Sequence, residues 1–379
     1  MAISKIDSDG IVSGGITADS LNVGQIGGRR NMVLNGAMQV AQRGTSVTGV
    51  NTNGYRTVDR WTTNMNSGGG TWTVTQESSG GVSGFPYSTK IECTTATAGT
   101  LSSNEKARWE YRNEGQDLQL LKWGTSDAEA ITISFWVKSN KTGTYTLEIN
   151  NSDGTSTNHI CKQYTIDAAD TWEYKTLTCV GDTGVSTKND NTTGIQMFFH
   201  LVAGTDFTSG TLATSWATSD STNRAVGNVN LGDTIGNYWQ ITGVQLEVGS
   251  VATPFEHRSF GEELALCQRY FCKSYNYEIS PGASLSVDNL EGANATSGGT
   301  TGTNRPFWTG GPFPVTMRDA PTVTLYNVDG TTGKISGGSF AKRDGTAVNI
   351  GQRNFNVYNN GGATADEDHY CIFTAQSEL

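Results

Sequence analysis

Histidine, cysteine and carboxylate spacing decide first what reaction this sequence could carry out. The four histidines, His159, His200, His257 and His369, form no His-x-x-x-His pair, and the six cysteines form no Cys-x-x-Cys pair. Zinc ligation therefore has no support in the spacing. Cys267 and Cys272 are five residues apart and would fall on different faces of a helix. No Gly-x-Ser-x-Gly turn marks a nucleophile for acyl transfer. Gly14-Gly15 and Gly27-Gly28 precede no strand-to-helix phosphate loop, which argues against nucleotide binding. Carboxylates are densest at Glu105, Glu110, Glu114 and Asp117, the residue types that glycan cleavage uses in pairs. Lys106, Arg108 and Arg112 are interleaved with them, and mixed signs at that density read as a solvated loop or edge strand.

Oxygen-bearing side chains at Asp153, Asp182, Asn189 and Asp190 could ligate a structural calcium ion, although turn formation explains them more simply. No other cofactor is expected. Aromatic rings are the more plausible chemistry, because a ring face can stack on a sugar while neighbouring Asn, Gln, Thr and Asp bond its hydroxyls. Trp109, Trp123, Trp216 and Trp308 lie in polar sequence, and Trp123, Trp216 and Trp308 are the candidate ligand-binding residues. Trp61, Trp136, Trp172 and Trp239 lie in strand patterns and read as core.

The elements that must position these rings are strands. Of 379 residues 47 are Gly, and Thr, Ser and Asn are abundant, which disfavours long helices and suits strands joined by tight turns. Nine Trp, 13 Tyr and 13 Phe provide enough apolar surface to exclude a disordered chain. Period-two alternation recurs at Thr71–Thr75, at Ile131–Lys138 with Ile131, Ile133, Phe135 and Val137 on one face, at Tyr145–Asn150, at Thr176–Val180, at Trp239–Thr242 and at Val244–Val248. One apolar face per strand predicts an all-β, antiparallel jelly-roll sandwich over residues 31–258. Gly261–Lys273 reads as a short boundary helix with Leu264, Cys267 and Phe271 on one face, inside a linker over residues 259–274. Residues 275–379 return to strands and form a second, smaller β domain.

Residues 1–30 contain regularly placed aliphatics but no aromatic residue. Such a thin segment predicts an assembly or docking element that gains burial against other copies or a partner. The formal charge of −10 argues against duplex nucleic-acid binding. No apolar run approaches the roughly 20 residues needed to cross a bilayer, and Met1–Asp7 lacks the features of a cleaved signal. The sparse cysteines read as free thiols in strands.

Asn35–Thr45 followed by Asp59-Arg60-Trp61 resembles the opening of a family of bacteriophage virion-appendage proteins, tail-fibre or receptor-binding subunits with a carbohydrate-binding-module-like sandwich. Thr132–Ser139, Thr171–Thr176, Ile241–Gly249, Ala252–Arg258 leading into Leu266–Phe271, Phe313–Thr322 and Phe373-Thr374-Ala375 are similar to later blocks of the same family. The resemblance implies a homotrimer located in the virion, attached to other tail proteins through residues 1–30. It also implies recognition of a host cell-surface glycan without catalysis or membrane insertion. It assigns no site residue. The alternatives are a structural virion connector or decoration protein and, third, a tail-attached glycan depolymerase.

Overall fold

Alternation along the chain is realised as two antiparallel sheets facing one another. The computed structural model describes residues 29–77, 81–97, 101–153, 156–285, 294–296, 305–337, 341–359 and 368–379. The proposed docking segment falls almost wholly outside these residues. At its end, Arg30 and Asn31 donate their backbone N–H groups to Glu256.

The sandwich strands are β1 (Ser46–Val50), β2 (Gly54–Tyr55), β3 (Trp61–Met65), β4 (Thr71–Glu77), β5 (Ser88–Thr95), β6 (Lys106–Glu114) and β7 (Ile131–Ser139). They continue with β8 (Gly143–Asn151), β9 (Asn158–Ile166), β10 (Glu173–Cys179), β11 (Thr193–Ala203), β12 (Ala217–Thr218) and β13 (Tyr238–Val248). One sheet has the order β1-β4-β5-β13-β7-β10 and the other β12-β9-β8-β11-β6-β3-β2. This is the expected all-β sandwich. Its core lies between the sheets, where Trp61 and Trp109 stack with ring centroids 6.0 Å apart and Phe199 packs against Trp239 and Phe135. Burying rings of this size supplies much of the hydrophobic stabilisation.

Two readings of the sequence are corrected here. Strand β6 lies inside its sheet and buries Glu110 and Glu114, so for these two the reading as solvated loop or edge is corrected, whereas Glu105 sits in the loop before the strand and Asp117 is exposed after it. Glu110 accepts hydrogen bonds from Asn64 and Arg112, while Glu114 accepts a bidentate pair from Arg269 and a hydroxyl from Tyr270. Every other residue of a central strand points to a covered face, which sequence alternation alone does not reveal. The boundary helix is also shorter than expected. It spans Phe260–Gln268, with the Ser259 hydroxyl accepting from the Glu262 N–H. Phe271 lies beyond it in a strand, Phe271–Lys273, that pairs with Ile372–Gln376.

The C-terminal module therefore starts inside the segment read as linker. Its strands are β14 (Phe271–Lys273), β15 (Asn294–Thr296), β16 (Arg305–Pro312), β17 (Thr322–Tyr326), β18 (Lys334–Ser336), β19 (Lys342–Val348), β20 (Asn354–Asn359), β21 (Asp368–Tyr370) and β22 (Ile372–Gln376). They form sheets β14-β22-β17 and β15-β21-β18-β19-β20-β16. Its own small core contains Phe313, Met317, Leu325, Phe355 and Phe373. The six cysteines are all buried and free.

After β22 the chain returns to the sandwich. Arg60, 1% exposed, pairs with Glu378 and donates to the Arg112 carbonyl at 2.8 Å. Its guanidinium lies 3.4 Å from the centre of the Tyr270 ring. Arg43 reaches the same Glu378 at 2.9 Å. The Leu379 carbonyl accepts from Arg112 and Tyr55. Glu378→Ala would leave Arg60 buried without its counter-ion. Chemical denaturation should therefore show a loss of about 3–5 kcal/mol, the usual cost of breaking such a pair from one side.

Candidate functional site

The outer face of the six-stranded sheet is built by the parity of β7. Ile131, Ile133, Phe135 and Val137 are fully buried in the core, so Thr132, Ser134, Trp136 and Lys138 point the other way. Across the pairing with β10, Tyr174 lies opposite Trp136, with ring centroids 5.2 Å apart at 49°. Tyr174 is 45% exposed. On the other side Thr242 of β13 lies opposite Trp136.

The register of β13 against β7 then slips between Thr242 and Gln245, with Gly243 at φ 61°. A Cβ on Gly243 would stand 2.9 Å from Phe85 Cζ and 3.3 Å from Trp136 Cδ1. Glycine is required there both for the left-handed backbone and for the approach of the Phe85 ring. Phe85 packs edge-on against Phe255 at 4.9 Å, and His257 contacts both rings at 5.1 and 4.8 Å.

The loop carrying Phe255 and His257 is fixed by outward side chains of β13. Glu247 accepts from the Thr253 N–H and hydroxyl, and Gln245 Oε1 accepts from the Glu256 N–H at 2.8 Å. Together Phe85, Ser134, Trp136, Tyr174, Gly243, Pro254, Phe255 and His257 line a groove of about 350 Å³. It offers ring faces and the His257 imidazole over a floor that includes the buried Ser134, an arrangement suited to stacking and hydrogen bonding. A larger cleft, of about 490 Å³, lies between the sandwich and the C-terminal module. Its main polar donors are already engaged: Lys273 bonds the Tyr277 and Ile279 carbonyls, Gln42 bonds Asp59 and the Phe271 carbonyl, and Gln76 bonds the Met38 and Gln39 carbonyls.

The tryptophans picked out from the sequence lie elsewhere. Trp123 is 2% exposed, donates its indole N–H to the Glu129 carbonyl and packs edge-on against Trp216 at 5.0 Å. Trp216 is half-buried and donates to the Val180 carbonyl. The expectation of a free ring face is corrected for Trp123, which is buried; Trp216 packs on it and keeps part of its surface open. Trp109 is likewise fully buried. Trp308 belongs to β16, but its side chain lies outside the described residues. Conversely, Trp136 and Trp172, read as core, are only half-buried. The signal was present in the parity of Ile131–Lys138, which puts Trp136 on the face opposite Phe135.

The other sheet carries a buried polar cluster on its outer side. Glu148 Oε1 lies 3.1 Å from His159 Nδ1 and 3.3 Å from Arg224 Nε, and Oε2 lies 3.0 Å from His200 Nε2. Burial alone would raise the Glu148 carboxyl, but the bonds from His159 and His200 outweigh it and hold it well below the usual range. Among the described residues no three His, Cys, Asp or Glu side chains form a metal-binding group. Asp182 instead accepts from Asn151, Asn158 and the Gly184 N–H, and Asp153 accepts from the Lys188 N–H.

No protein-family model matches this sequence. No curated protein matches it either. Solved structures that match in three dimensions include the enzymatically active domain of tailspike protein 4 of bacteriophage CBA120, 13% identical with a TM-score of 0.31 over 57% of this chain. The match spans about a fifth (21%) of that tailspike chain. They also include the family 11 carbohydrate-binding module of Clostridium thermocellum in complex with a β-1,3-1,4-mixed-linked tetrasaccharide. It is 12% identical with a TM-score of 0.26 over 55% of this chain and 99% of that one.

Gly243→Ala should push Phe85 off the sheet and lower the melting temperature by several degrees, measured by calorimetry. A second outcome concerns His200, whose imidazole is lowered by burial, against the pull of Glu148, from 6.5 to about 4. NMR should therefore show its ring titrating near 4. Because the unfolded chain binds this proton more readily, the stability from neutral His200 is complete above pH 6.5 and is lost as pH falls toward 4. Asp59 has the opposite sign, since burial raises it, against Arg43, from 3.8 to about 6. Its ionisation costs stability as pH rises through that interval, so the His200 resonance is the clean readout.

Proposed function

We propose that this chain is a non-enzymatic glycan-recognition protein that uses the groove on its six-stranded sheet, and that it serves as a bacteriophage virion appendage contacting the host surface. The observation that carries the reading is the Trp136–Tyr174 pair, an adjacent set of half-open rings on an otherwise polar sheet face. The sequence blocks that resemble virion-appendage proteins supply Trp136, Tyr174, Gly243, Phe255 and His257, so the stretches carrying the resemblance also build the groove. A non-catalytic role is supported by the engagement of the interior carboxylates, with Glu110, Glu114 and Glu148 each held by cationic or hydrogen-bonding neighbours.

Homotrimer formation and attachment through residues 1–30 belong to the same proposal and rest on the resemblance and on the thinness of that segment. Multivalent presentation would raise a weak single-site affinity by roughly 10²–10⁴ where geometry lets several sites engage at once. The connector reading, in which the sandwich binds only other virion proteins, is favoured by the packing of Trp123 and Trp216.

Trp136→Ala and Tyr174→Ala, read beside the parent chain, separate the two. Each should reduce binding to host-envelope polysaccharide at least tenfold on a glycan array, with the melting temperature lowered by no more than a few degrees. Unchanged glycan binding in both variants would move the glycan site off this groove, and absence of glycan and cell binding by the parent chain would favour the connector.

A further inference from the structure

The sheet face that carries the groove also bears a second line of side chains. Lys138 follows Trp136 by two residues on β7, so it points to the same side, about 6.6 Å further along the strand. Register places Lys138 opposite Gln240 on β13 and Gln240 opposite Lys90 on β5. An amide between two ammonium groups thus runs alongside the line Tyr174–Trp136–Thr242 and crosses two of the same strands.

The two lysines are not equivalent. Lys90 is paired with Glu92 at 2.6 Å. Lys138 makes no hydrogen bond or ion pair among the described residues, and its Nζ lies 5.0 Å from the centre of the Trp172 ring and 6.0 Å from that of Tyr238. The neighbouring Asp170 carboxylate already accepts the Tyr238 hydroxyl at 2.6 Å. The Trp172 indole N–H is buried without an acceptor. Partial burial lowers the ammonium of Lys138 below its ordinary value, against the attraction of Asp170 and Glu77. An ammonium half-withdrawn from water and set over two rings, with Asp170 and Glu77 attracting it only from beyond contact distance, gains from an anion that reaches it directly.

We infer that the ligand of this face is an acidic glycan, whose sugar rings stack on Trp136 and Tyr174 and whose carboxylate, from a uronic or sialic acid unit, is received by Lys138. The inference rests on the groove being the glycan site and adds the chemical class of the sugar. The chain's net charge of −10 opposes long-range attraction of such a polymer. Lys138 acts at contact, where a partly buried charge is less screened than an exposed one.

The test uses the full chain with alginate, polygalacturonate, hyaluronate and polysialate, each beside its carboxyl-reduced neutral form, read by titration calorimetry. At least one acidic polymer should bind, and carboxyl reduction should weaken it about tenfold. Lys138→Gln should remove that difference, Lys138→Arg should retain most of it, and both should keep the parent melting temperature. Equal, Trp136-dependent binding of acidic and reduced forms would overturn the lysine inference while leaving the groove reading intact. A carboxylate preference that survives Lys138→Gln would also overturn it. Binding of no polymer in either form would remove both.

Discussion

The Arg60 guanidinium is closed off from water by Glu378, the Arg112 carbonyl and the face of Tyr270. These partners come from the C-terminal tail, from the middle of the seven-stranded sheet and from the turn after the helix. An arginine carries its charge at any ordinary pH, so once the sandwich buries position 60 the counter-ion has to be brought to it. The C-terminal module meets that demand by sending its last residues back. Arg318 reinforces the return by donating to the Ser377 carbonyl at 2.7 Å and to the Asn191 carbonyl of the sandwich at 2.7 Å.

The same clamp reaches the groove through the helix Phe260–Gln268. Tyr270 and Arg269, just past its end, are held by Glu114. Near its start Glu263 accepts from the Asn35 N–H and from Arg258, and Arg258 also donates to the carbonyls of Asn31 and Val33. The loop carrying Phe255 and His257 runs between that anchor and the Gln245–Glu247 bonds of β13. Its ends are fixed by charged hydrogen bonds, whereas its rings pack on Phe85 and leave one side open. Such a site can meet a ligand without first reorganising its backbone.

The two outer sheet faces differ in kind. On the seven-stranded sheet, Glu148, His159, His200, Arg108 and Arg224 satisfy much of one another's charge under the loop that follows β11, and Phe198 and Phe207 lie against Arg108. That face is closed. On the six-stranded sheet the outward residues are hydroxyls, amides, aromatic rings and the charged Lys90, Glu92, Lys138 and Glu247; Thr132, Ser134, Thr242, Gln245 and Glu247 are covered, while Trp136, Lys138 and Tyr174 remain reachable. A closed, charged face on one sheet and a partly open, ring-bearing face on the other suit a molecule whose recognition surface is one sheet.

Strand identity was legible in the sequence because the period-two pattern is local: Ile131–Lys138, Trp239–Thr242 and Val244–Val248 could each bury one face only in a pleated strand. The free buried cysteines and the all-β class follow from the same local patterns. Which rings would be open was not legible. Trp123 and Trp216 stand among polar residues yet pack on one another, and Trp136 stands among apolar residues yet faces outward, because exposure depends on which loop returns over which face. The acidic run of β6 looked solvated because sequence spacing does not show that β3 and β11 flank it. By itself the sequence determined the strands and their buried parity, through steric and hydrophobic rules acting over a few residues. Only the tertiary structure decided the groove, the Arg60 clamp and the unpaired Lys138, because each depends on residues far apart in the chain meeting across strands or modules.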